Sequence, residues 1–279
     1  MNGKNQPINE RTKVMKNKSI NSILGPAAFA LAGLSLLLTT SYSTLANDAL
    51  FQSDVIPPVP PLGKIAYEAL LANWYQWTLS FPANADPAAD TAPQESNQSG
   101  PVWFLAGLHA TGAAGGSGTV SRQITIPEGT ALFFPVLSTW SDNSGCPTFT
   151  DLTVPELRTE TAGNWSAVTE TTCTIDGVTV RGLDNPQSTP YLIQSPAFAY
   201  KLAAHDNLLA ADFGEPCIPD GLTIAPAVAE GVCLLVPPLP PGHHTIHFVG
   251  IVGPIDAPFV DFDETYVVTV KPSLRGCGR

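Results

Sequence analysis

The segment PPGHHTIHF, residues 240–248, holds three of the chain's five histidines: His243, His244 and His247. Imidazole nitrogens ligate transition metals and exchange protons near neutral pH. Spacing decides whether these three could act together. Pro-Pro-Gly reads as a turn that launches a strand, and alternate strand residues share a face. His243 and His247 then lie on one face, but four steps of ~3.3 Å set them roughly 13 Å apart. Zinc holds each nitrogen at about 2.1 Å, so the pair makes a poor chelate. His244 and His247 point to opposite faces. Neither the His-x-His of cupins nor a helical HExxH occurs. A metal here requires a bend at Gly242 and an outside ligand, either His109 or His205, the latter followed by Asp206. Without one, His247 is a partly buried strand residue and His243 an exposed turn residue.

A second candidate is the run Asp261-Phe262-Asp263-Glu264. Asp261 and Asp263 fall on one strand face, and carboxylate oxygens suit Ca²⁺. Carboxylates before an edge strand also block edge pairing. Loops at strand ends gather sites in β proteins, which singles out Trp140 and Asp142 in STWSDNSG. Trp103, in VWFLAG, and His109, in the glycine-rich loop after it, join them as ligand-binding candidates. No G-x-S-x-G elbow is present, and no catalytic residue is identified.

The elements that must position these residues are mainly β. Residues 63–81 have one helical signature, with Tyr67, Leu70, Leu71, Trp74, Thr78 and Phe81 at helical spacing before Pro82. Such an aromatic stripe reads as a face packed on a sheet, with a sugar platform as the alternative for Trp74 and Trp77. Residues 83–100 are rich in Ala, Pro, Asp and Ser, lack aromatics and predict a mobile loop. Short strands follow at 102–107, 123–126, 131–137, 191–194, 197–200, 232–236, 244–252 and 265–270. Asp176-Gly177 supplies a type I′ hairpin turn, and 151–168 holds a short second helix. Many short strands without a βαβ rhythm predict an antiparallel β-sandwich or jelly roll.

Residues 1–46 carry a basic segment, the apolar run Ile23–Leu38 and small residues at Thr44-Leu45-Ala46, a signal peptide by pattern, with Met15 as an alternative start. A Pro-rich linker (47–61), a single domain (62–272) and a tail (273–279) complete the organisation, with no further membrane span. The leader takes five of the 13 basic and one of the 24 acidic residues, leaving eight against 23. Such an acidic chain offers no footprint for nucleic acid or anionic lipid. Its charge suits cations, neutral sugars or apolar molecules. The five cysteines fit an oxidising, exported setting. Cys146–Cys173 and Cys217–Cys233 are plausible loop-closing pairs, which leaves Cys277 over.

At VWFLAG, ITIPEGTALFFPVL, SPA and PPLPPGHHTIHFVG the chain resembles a family of exported bacterial proteins whose function is not established. The resemblance spans about Trp74 to Val270 and implies the sandwich fold and export. It transfers no activity, and the terminal SLRGCGR departs from the pattern. The expected function is therefore binding of a small molecule, glycan or envelope component in the periplasm or outside the cell. One alternative is a metal-assisted enzyme, cupin-like or hydrolytic, using His109, His205 and the 243–247 histidines with a transition metal. Another is a structural surface or matrix protein linked through Cys277.

Overall fold

The computed structural model describes residues 55–58, 62–110, 116–145 and 151–273. The leader, most of the linker, residues 274–279, Cys146 and Cys277 lie outside the described residues. The chain begins with α1 (Leu62–Thr78), β1 (Val102–Phe104), β2 (Gly116–Pro127) and β3 (Ala131–Asp142). Helix α2 (Val154–Trp165) precedes β4 (Val168–Ile175), β5 (Val178–Thr179), β6 (Leu192–Gln194) and β7 (Phe198–Lys201). The short α3 (Leu208–Ala211) leads to β8 (Thr223–Val236), β9 (Gly242–Val252) and β10 (Val260–Lys271).

These strands form two five-stranded sheets, a mainly β architecture compatible with a sandwich. One sheet runs β1-β3-β8-β6, with β7 also on β8; the other runs β2-β10-β9-β4-β5. The expected antiparallel pairing holds along β3–β8, β9–β10 and β4–β9. Two pairs depart from it, since β1 runs parallel to β3 and β2 runs parallel to β10 over its whole length. Segments distant in the chain make both pairings, and no local turn chemistry announces them. Asp176 (φ 50°) and Gly177 (φ 77°) turn the β4–β5 hairpin as their sequence predicts.

Between the sheets, Phe134 stacks on Phe248 with ring centroids 4.8 Å apart, and Phe248 stacks on Tyr266 at 6.2 Å. All three are essentially inaccessible to water. Burying each such side chain contributes about 1.5–3 kcal/mol. Helix α1 packs against the first sheet through β3, β6, β7 and β8. Its inward face buries Tyr67, Leu71, Trp74, Tyr75 and Trp77, whereas Ala66, Ala69, Asn73 and Gln76 are exposed on the opposite side. Tyr67 ties it down, donating its hydroxyl proton to the Ile56 carbonyl and accepting from Leu235 N at 3.0 Å.

The segment after α1, expected as a mobile loop, carries hydrogen bonds from its polar side chains. Asp86 N donates to Thr91 Oγ1 (2.7 Å), Thr125 N donates to Glu95 Oε1 (3.0 Å), and Gln98 both donates to and accepts from the Phe104 backbone. Polar side chains thus staple this loop, with Ala88 a buried apolar residue within it.

The cysteine pairing also differs from expectation. Cys173 sits in β4 and Cys233 in β8, on different sheets, each buried and free. Neither Cys146–Cys173 nor Cys217–Cys233 forms, and Cys217, which is disulfide-bonded, is joined to neither of these two.

Strand β3 carries one irregularity with large consequences. Its register on β8 shifts between Pro135 and Leu137, the mark of a β-bulge. Two glycines make room for it. A Cβ on Gly231 of β8 would lie 2.5 Å from Ser138 Cβ and 2.7 Å from the Leu137 oxygen. A Cβ on Gly250 of β9 would lie 3.0 Å from Leu137 Cβ and 3.1 Å from the Val136 oxygen.

Candidate functional site

In a regular strand only alternate residues face one side. Around the bulge, six consecutive residues of β3, Pro135–Trp140, border one cavity of about 240 Å³ through backbone or side-chain atoms. Helix α1 contributes Trp74, Tyr75 and Thr78; the loop after β1 contributes Gly107–Ala110; and β10 contributes Val260, Phe262 and Glu264. Trp165 and Phe213 close the remaining wall with Val168 and Val252. The volume lies just below the roughly 300–1,000 Å³ common for ligand pockets, so the space suits a small molecule and not a polymer.

The aromatic rings form a continuous chain. Trp74 meets Tyr75 edge-on at 5.0 Å, Tyr75 meets Trp140 at 5.4 Å, Trp140 meets Phe213 at 5.2 Å, and Phe213 meets His109 at 5.5 Å. Each ring is oriented by a neighbour, and several also by a hydrogen bond. Trp74 Nε1 donates to the Leu105 carbonyl (2.8 Å), Tyr75 Oη shares a proton with Ser138 Oγ (2.8 Å), and Trp140 Nε1 donates to Asp142 Oδ2 (2.9 Å).

One end of this apolar space is ionisable. Glu264 Oε1 accepts from Leu108 N at 3.0 Å, and Glu264 Oε2 accepts from Arg122 Nη1 at 3.2 Å. Arg122 is itself enclosed, donating to the Ala106 and Ala88 carbonyls, to Tyr266 Oη and to Asp90 Oδ1. His109 Nδ1 lies 3.6 Å from Asp86 Oδ2, an oxygen buried without a hydrogen-bond partner among the described residues. Thr78 Oγ1 is likewise buried without one, in the cavity wall. Burial pushes the Glu264 carboxyl up to about 7, against the opposing Leu108 N–H and the Arg122 charge. Burial also pushes Asp86 up to about 6, and holds His109 down to about 4 with Arg122 adding to the shift. At neutral pH the imidazole in the wall is uncharged.

Of the four expected ligand-binding residues, His109 and Trp140 line this cavity. Trp103 packs against the core from β1 and does not reach the cavity. Asp142 accepts from Tyr200 Oη (2.6 Å), Trp140 Nε1 and Ser144 N, so its oxygens hold the fold together. It borders a separate polar hollow with Asp151, Glu160 and Glu215.

The proposed metal ligands are not brought together. His243 Nδ1 meets Thr269 Oγ1 (3.1 Å), and His244 Nδ1 meets Asp176 Oδ2 (2.7 Å) while its Nε2 meets the Pro240 oxygen. His247 Nε2 meets Asp263 Oδ1 at 2.9 Å. His205 is exposed on the loop before α3, and Asp261 shares the outer face of β10 with Asp263. Among the described residues, no group of three or more His, Cys, Asp or Glu side chains could hold a metal ion. The expected histidine ligands of β9 instead each face a separate hydrogen-bond partner.

Sequence reasoning missed Glu264, Arg122, Asp86 and Phe213. For the first two a signal existed. Glu264 falls in register with the inward residues Phe262, Tyr266, Val268 and Val270, and Arg122 with Ile124 and Ile126. A charged residue on the apolar stripe of a strand must find a partner. For Asp86 and Phe213 only the folded loops supply the placement.

The fold and site thus define a two-sheet β protein with an aromatic-walled cavity that has an acidic group at one end. Comparisons with protein-family models, curated proteins and solved structures returned no match. No helix among the described residues is long and apolar enough to cross a membrane.

Proposed function

We propose that this chain is an exported binding protein for a small, compact, largely apolar molecule held in the cavity between α1 and the sheets. The observation that carries this reading is the preformed cavity itself, walled by aromatic rings and bearing a few convergent polar groups at one end. Such a composition is characteristic of small-molecule sites. Export is supported by the leader pattern of residues 1–46 and by the resemblance to exported bacterial proteins. The three histidines of β9 are engaged with partners outside the cavity lining, which leaves the metal-assisted enzyme without an assembled centre among the described residues.

The test is titration with small aromatic compounds such as benzyl alcohol and indole, followed by isothermal calorimetry and by tryptophan fluorescence from Trp74 and Trp140. Saturable binding is expected in the wild type. Gly107→Leu should abolish it, because the glycine's missing Cβ points toward Trp74 and Glu264 at 3.8 Å and the added side chain fills the space. Absence of saturable binding, or binding unchanged in a folded Gly107→Leu protein, overturns the reading.

A further inference from the structure

Resting on that reading, we infer that the cavity's ligand is an organic cation, an ammonium group carried on a small aromatic or apolar body. The first support is the sign of the charge that the cavity sees. Glu264 lines the space, whereas Arg122 sits behind it, and no lysine or arginine lines the wall. An anion would meet a carboxyl there with no exposed cation to receive it.

The second is incomplete compensation of charge around this end. Glu264 feels Asp90 and Asp263 as like charges, and Asp86 feels Asp212. Against these five carboxylates stand the Arg122 guanidinium, the neutral His109 and His247, which is bonded to Asp263. Tyr266 faces Arg122 as an uncharged phenol donating to the Ala106 oxygen. Buried carboxylates are stable only when paired, yet Asp86 Oδ2 has no hydrogen-bond partner among the described residues. Burial is the main reason that Glu264 and Asp86 hold their protons to higher pH than ordinary carboxyls, and the neighbouring carboxylates add to the rise while Arg122 opposes it.

The third is the wall. The faces of Trp74, Tyr75, Trp140 and Phe213 carry the negative lobes of their quadrupoles, and a cation within about 6 Å of such rings is attracted to them. Thr78 Oγ1, buried in the same wall without a partner, offers an acceptor to an ammonium N–H.

The test compares benzyltrimethylammonium with its neutral carbon isostere, neopentylbenzene, by calorimetry on the purified protein at pH 8 and pH 5. At pH 8 the cation should bind at least tenfold tighter than the isostere. At pH 5, with Glu264 and Asp86 protonated, that preference should shrink severalfold. Cation binding at pH 7 should release protons, read from the dependence of the heat on buffer ionisation enthalpy. Glu264→Gln should narrow the preference for the cation over the isostere at pH 8, and Asp86→Asn supplies a second variant should the first not fold. If the isostere binds as tightly as the cation at pH 8, or the preference survives unchanged in the folded variants, the inference falls while the cavity remains a ligand site. If neither compound nor any member of the aromatic panel binds, both fall together.

Discussion

Arg122 Nη1 lies 3.2 Å from Glu264 Oε2, and each side chain is only 2% exposed. The two strands that carry them, β2 and β10, run parallel, with Arg122 opposite Tyr266 in the register. Removing one partner of a buried pair leaves an uncompensated charge, at a cost of about 3–5 kcal/mol. Arg122→Met should therefore lower unfolding stability by about that amount, as measured by urea denaturation at pH 8. The cost should be smaller at pH 5, where Glu264 takes up a proton. A loss below about 1 kcal/mol, typical of a surface ion pair, would show that the pair is not buried in solution.

The titrations of Glu264 and His109 should oppose one another. A raised carboxyl pKa means that the folded state binds the proton more tightly than the unfolded chain. The Glu264 contribution is thus fully present below 4.5 and is lost as pH rises to about 7. Asp86 acts in the same direction between 3.8 and about 6. His109, lowered from 6.5 to about 4, contributes above 6.5 and loses stability as pH falls. The difference in stability between Glu264→Gln and wild type should then move in the variant's favour from pH 4.5 to 7.5 and stay flat above. Parallel urea melts across that range provide the check, and a pH-independent difference would contradict a shifted Glu264.

Cys173 and Cys233 are buried free thiols, and burial pushes both well above the ordinary thiol range. Reactivity requires the exposed thiolate. Neither should be alkylated by iodoacetamide in the native protein. Both should be labelled in denaturant without any reductant, as read by peptide mass mapping. Labelling that depends on prior reduction would restore the disulfide pairing expected from the loop lengths.

How much of this was legible in the residues follows from the range of the forces involved. Alternation along a strand and periodicity along a helix are local, so α1, the β4–β5 hairpin, α2 and the PPGHHTIHF strand could be read directly. Trp140 was singled out with Asp142 because strand-end loops gather sites, and His109 from its place in the glycine-rich loop after VWFLAG. The α1 stripe, read as packing, does pack, and it also forms a wall of the cavity through Trp74 and Tyr75. The inward register of Glu264 was equally local, but attention fell on its outward neighbours Asp261 and Asp263. The parallel β2–β10 pairing, the Arg122 partnership and the separation of Cys173 from Cys233 all depend on which distant strands become neighbours. No periodicity within one segment carries that information.

The bulge in β3 ties cavity and fold to the same three strands. Residues 136–138 are held between Gly231 on the adjacent strand and Gly250 on the facing sheet, with no space for even a methyl group at Gly231. The opening is thus specified by what two distant positions leave out, namely a side chain at each. Its floor belongs to the most buried part of the sandwich and not to the surface loops. Loop exchange would leave that floor in place, whereas adding one carbon atom at Gly231 would press on the bulge that borders it.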